Sequence, residues 1–176
     1  MSFATAYAGL ALLVATLAVG PLNLLRHRPN PTSTDLRRDI GVWAGLFGIA
    51  HTIAGLQVHM QGHLRRYFVI GSGGRNFDTL GFVAANWLGL IAVVLLLVLV
   101  SVSNDAALRI LGKARWKLLQ RSAYVVIVAV VVHGAIYQIL EKRRWFLALI
   151  FSLLAVAVAV FQWAGVRRKR QLRTAD

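Results

Sequence analysis

Five apolar runs, each long enough to cross a bilayer, dominate this chain of 176 residues. A crossing helix needs roughly 20 apolar residues. The runs cover about Phe3–Leu25, Ile40–Met60, Leu80–Val102, Ser122–Leu140 and Trp145–Val166. A backbone in hydrocarbon must satisfy its own hydrogen bonds, and runs of this length do so as helices. The expected fold class is all-α, an integral membrane bundle of about five transmembrane helices. At this length, residues 1–176 form a single domain.

All six acidic residues, Asp35, Asp39, Asp78, Asp105, Glu141 and Asp176, fall in loops, at run ends or in the tail. Trp43, Trp116, Trp145 and Trp163 lie near run ends, as in an interfacial aromatic belt. A net charge of +14 would suit a nucleic-acid binder. Here the cations flank apolar runs, where basic residues orient membrane proteins, so nucleic acid is not an expected partner and the lipid bilayer is.

The basic residues then set a topology. Arg26, Arg28, Arg37, Arg38, Arg109, Lys113, Arg115, Lys117, Arg121, Arg167, Arg168, Lys169, Arg170 and Arg173 would share one face. Arg65, Arg66, Arg75, Lys142, Arg143 and Arg144 would share the other. The richer face is expected inside, which puts the N-terminus outside and the C-terminus in the cytoplasm. No basic residue precedes the first run, so it does not read as a cleavable signal peptide. The stretch Gly71-Ser72-Gly73-Gly74 lacks the lysine and following helix of a phosphate loop and reads as a linker.

Two of these runs carry a histidine well inside. An ionisable side chain in hydrocarbon is costly and usually functional. His51 follows Arg38 by thirteen residues, and His133 follows Arg121 by twelve. Both runs travel from inside to outside, so the imidazoles reach about 18–20 Å at helical rise, near mid-membrane or slightly outward. Ala44, Gly48 and Gly55 lie near His51 on a helical wheel and form a groove for a large flat ligand. The alternative is a small-residue packing face with a hydrogen-bonded histidine. A shared ligand is the preferred reading, and a porphyrin iron with one axial imidazole from each side suits it. With no cysteine in the chain, such a heme would be non-covalent. Arg65 and Arg66, with Lys142, Arg143 and Arg144, would pair with its carboxylates, or act only as flanking charges. His27 reads as a loop residue, and His59 and His63 as interfacial ones that alternatively touch an outer metal, a carboxylate or a redox partner.

The segments Leu36-Arg37-Arg38-Asp39-Ile40-Gly41 and Ala50-His51-Thr52-Ile53 resemble the ferric-reductase-like transmembrane domain. So do Leu111-Gly112 through Trp116, then Leu119-Gln120-Arg121-Ser122-Ala123-Tyr124 and His133. The resemblance covers roughly residues 5 to 140 and is nearest to the heme-binding membrane subunits of bacterial periplasmic methionine sulfoxide reductase systems. It implies b-type heme and electron transfer across the membrane. Two-heme members of the family place two histidines on each of two helices. His51 and His133 match the outer pair. Gln120 and Arg37 stand where the inner pair is expected, which implies one heme. The additional first span of those reductase subunits is not matched here.

The chain has no nicotinamide or flavin domain, so a quinol, a flavoprotein or another subunit would supply electrons. The expected function is an iron-carrying electron-transfer subunit of an oxidoreductase in the bacterial inner membrane, not a complete enzyme. Its expected cofactors are one bis-histidine heme b and, as an optional second, quinone. The expected acceptor is a periplasmic or membrane-complex protein at the outer face. The rival is a redox-inactive accessory or pigment-binding subunit of a larger complex.

Overall fold

The computed structural model describes residues 2–28, 35–58, 67–69, 77–142 and 144–174. Arg65 and Arg66, with His59, His63, the Gly71–Gly74 stretch and Arg143, lie outside the described residues. Five long helices follow the five apolar runs: α1 (Ser2–Leu25), α2 (Asp35–Val58), α3 (Phe77–Ser101), α5 (Ala123–Leu140) and α6 (Trp145–Arg173). Each apolar window is long and apolar enough to cross a membrane. No strand occurs among the described residues. The protein is an all-α, multi-pass membrane bundle.

The long helices alternate in direction. α1 packs mainly on α2 and α6, α3 on α5, and α2 on α3; α5 touches α1 and α6 only lightly. The result is a curved row, α6–α1–α2–α3–α5, whose ends approach each other. Leu10, Leu13, Val14 and Leu17 of α1 sit at its centre, against Leu96 and Leu99 of α3, Val126 of α5 and Val158 of α6. Outward faces stay apolar, with Leu153, Val128 and Ile53 all more than half exposed. That is the pattern of a bundle solvated by lipid, where packing rather than water exclusion joins helices.

One element departs from the sequence reading. The basic stretch between the third and fourth runs is not a loop but a helix, α4 (Asp105–Gln120). Asn104 caps it, its side chain accepting from the Ala107 N–H at 2.8 Å. Trp116, expected in an interfacial belt, is instead buried, and its indole N–H donates to the Val102 carbonyl at 2.9 Å. A buried indole needs such a partner, and this one folds α4 back on the end of α3. Arg38 at the start of α2 pairs with Asp35 and, at 2.5 Å, with Asp105 of α4. His27 contacts Arg168 of α6. These contacts gather the ends of α1, α3 and α6 with the starts of α2 and α5 at one cationic end.

Candidate functional site

The histidines occupy the opposite half of the bundle. His51 precedes the last residue of α2 by seven positions, and His133 precedes the last residue of α5 by seven. Each imidazole is therefore about 10 Å from its helix end at helical rise, with His133 near the middle of α5 and His51 just past the middle of α2. Their rings face each other with centroids 6.3 Å apart and planes at 80°.

Each ring is fixed through the same atom. His133 Nδ1 lies 2.7 Å from the carbonyl oxygen of Ala85 on α3. His51 Nδ1 lies 3.0 Å from the carbonyl oxygen of Ser2 and 3.3 Å from its hydroxyl. A carbonyl only accepts, so Nδ1 must carry the proton in both rings. The basic lone pair is then on Nε2. An imidazole whose other nitrogen donates to a backbone carbonyl is the arrangement of a metal-ligating histidine.

Small residues let the rings reach these positions. A Cβ on Gly89 of α3 would lie 3.0 Å from both Cε1 and Nδ1 of His133. Of the two glycines read from sequence as a ligand groove, Gly55 faces open space, with nothing within 4 Å of an added Cβ. Gly48 also admits its neighbour helix: a Cβ there would come 2.8 Å from Leu96 Cδ1. Gly48 thus serves helix packing, while Gly55 leaves the space beside it open.

The pair lines a cavity of about 410 Å³ bounded by α1, α2, α3 and α5, by Tyr67 and Phe68, and by Phe151 of α6. Gly48 and Gly55 line it too. Its walls are mostly apolar, with a braced polar set at one side. Asn86, 9% exposed, donates to the Tyr67 carbonyl at 3.1 Å and accepts from the Tyr137 hydroxyl at 2.8 Å. The Tyr67 hydroxyl donates to the Gly55 carbonyl at 2.9 Å. Gln138 donates to the Tyr7 hydroxyl at 2.9 Å, and Tyr7 donates to the Leu147 carbonyl at 2.9 Å. These bonds tie the ends of α1, α2, α3, α5 and α6 around the histidines.

The sequence pointed to His51, His133, Gly48 and Gly55 but not to Ser2, Ala85, Gly89, Asn86, Tyr67 or Tyr137. Asn86 had a signal, as a lone amide inside the third apolar run. Ala85 and Gly89 had a weaker one, a small pair at four-residue spacing. Backbone acceptors carry none.

Two imidazoles are too few for a closed site of protein ligands, which takes about four. Among the described residues, no group of three or more His, Cys, Asp or Glu is placed to share an ion. The pair suits a metal that arrives with its remaining positions filled. With metal–nitrogen bonds of about 2 Å, two imidazoles whose ring centroids are 6.3 Å apart are close enough that both could reach one metal.

Among known proteins, residues 5–131 match the family model of the ferric reductase like transmembrane component. His51 lies inside that match, and His133 lies just beyond its end. The chain is also 30% identical, over 163 residues, to the protein-methionine-sulfoxide reductase heme-binding subunit MsrQ of Klebsiella pneumoniae (strain 342). That alignment covers 90% of this chain and 73% of the relative. No solved structure matches.

Proposed function

We propose, for a chain that belongs to the ferric reductase-like transmembrane family, that it holds one b-type heme between His51 and His133 and relays electrons through the membrane. The observation that carries this reading is the pair of imidazoles 6.3 Å apart, each tethered through Nδ1 to a backbone carbonyl. Held by His51 and His133, such a heme would supply one-electron transfer rather than oxygen chemistry.

The chain's own residues do the positioning. The carbonyls of Ser2 and Ala85 hold each ring in the tautomer that presents Nε2 and make that nitrogen more basic. Gly55 and Gly89 leave room beside the rings. Leu10 and Leu13 of α1 and Val93 and Leu96 of α3 line the cavity and exclude water, which disfavours charge on the buried iron centre. Lys142 and Arg144 supply cations for the carboxylates at the end nearer the histidines, and by sequence alone Arg65 and Arg66 are assigned the same role.

Electrons come from a quinol, a flavoprotein or another membrane subunit. The relative's name places it in a protein-methionine-sulfoxide reductase. The acceptor we assign to this chain is a protein of that kind, docking at the histidine end. The charge distribution supports the cationic end in the cytoplasm and the histidine end outside, and the bacterial relative supports a bacterial inner membrane.

Heme content of single variants tests the assignment. His51→Ala and His133→Ala should each lose most bound heme while eluting as monodisperse protein. Gln120→Ala, which alters the place of an absent inner ligand, should keep the wild-type heme-to-protein ratio. Heme loss in Gln120→Ala equal to that in His133→Ala would contradict the single-site reading.

A further inference from the structure

A second cavity, of about 360 Å³, lies at the cationic end, far from the histidine pair. Leu17 of α1 and Leu99 of α3 give it an apolar wall. Arg37 of α2, Lys117 of α4, Arg121 and Lys169 of α6 also line it, and among the described residues no carboxylate does. Arg38 is there too, but Asp35 and Asp105 already balance its charge. Gln120 completes the lining, and its Nε2, shielded from solvent, has no hydrogen-bond partner among the described residues. A shielded donor without an acceptor is unfavourable, and Lys117, Arg121 and Lys169, all exposed, place three positive charges around the same cavity.

We infer that this cavity binds the phosphate head group of an anionic phospholipid, with an acyl chain along the leucine wall. A phosphodiester brings negative charge for Lys117, Arg121 and Lys169, and an acceptor for Gln120 Nε2. Basic pockets between membrane helices take such head groups. A neutral quinone ring would leave the cations unbalanced. Inorganic phosphate would match the charge but leave the apolar wall exposed. This site does not require a heme at the histidine pair, although Leu13 and Leu96 line both cavities and Arg37 and Gln120 are the positions where the resemblance expects an inner pair of ligands.

The test is native mass spectrometry of the full chain in detergent, with phosphatidylglycerol, phosphatidylcholine or inorganic phosphate added. Phosphatidylglycerol should be retained at one per chain in preference to phosphatidylcholine, and excess inorganic phosphate should not displace it. Replacing Lys117, Arg121 and Lys169 together by Gln should weaken retention about fivefold per cation, on the order of a hundredfold in all. The matched variant with Arg109, Lys113 and Arg115 replaced by Gln removes the same charge from α4 outside the cavity. It should stay within about twofold of wild type. Both triples should elute as monodisperse protein, which separates site loss from misfolding. Equal weakening in the two triples would overturn the inference. So would equal retention of the two lipids, displacement by inorganic phosphate, or a quinone or second heme that co-purifies and is lost only in the Lys117/Arg121/Lys169 variant.

Discussion

His133 stands where it does because Gly89 has no side chain. A Cβ at Gly89 would press on Cε1 and Nδ1 at 3.0 Å, the edge of the ring that reaches the Ala85 carbonyl. Gly89→Ala should therefore displace the imidazole and weaken its 2.7 Å hydrogen bond. Losing such an orienting bond typically costs on the order of 10–100-fold in affinity for the ligated group. Heme titration of the apoprotein should show a loss of that size, and unchanged affinity would count against the positioning role. Gly55→Ala, where an added Cβ meets nothing within 4 Å, should leave the helix packing intact, as thermal unfolding would report. The two histidines were legible in the sequence because an imidazole in an apolar run stands out. Their tethers were not, since the carbonyls of Ser2 and Ala85 are backbone groups that every residue owns. Asn86 was visible as a lone amide, but its partners, a Tyr67 carbonyl and a Tyr137 hydroxyl, are too distant in sequence to be inferred.

At the level of elements, hydropathy locates the apolar part of each helix and not its polar continuation. α2 starts at Asp35 rather than Ile40, because Arg38 finds carboxylates on both sides of itself. α6 runs on to Arg173, carrying Arg167–Arg170 out on a continuous helix. α4 was read only as a basic loop, since its alternation of cations with Leu108, Leu111 and Leu119 is short and broken by Gly112. That glycine has φ 73° and ψ 157°, a region open to almost nothing but glycine. Gly112→Ala should cost about 1–3 kcal/mol through that strain, with no steric clash to blame, since nothing lies within 4 Å of an added Cβ. A lowered midpoint for loss of helical signal on heating would bear this out. An unchanged midpoint would mean that the bend relaxes without penalty.

Across the whole molecule, charge and site are segregated. The cationic end holds α4 and the second cavity, and the histidine pair lies in the other half. The five-span architecture was legible throughout, because bilayer thickness sets run length directly. Sidedness rests on the basic residues alone. If the cationic end faces the cytoplasm, a cysteine at Lys142 should react with a membrane-impermeant thiol reagent in intact cells, and one at Thr174 only after lysis. The reverse pattern would move the acceptor to the cytoplasmic side. The account stands most directly on what the two imidazoles hold. Full-length protein, produced with ample heme, should carry one heme per chain by pigment extraction. Its reduced-minus-oxidised spectrum should be that of a low-spin b-type center, and its ferric form should show the paramagnetic resonance of two imidazole ligands. A colourless preparation, a five-coordinate high-spin heme, or two hemes per chain would contradict it.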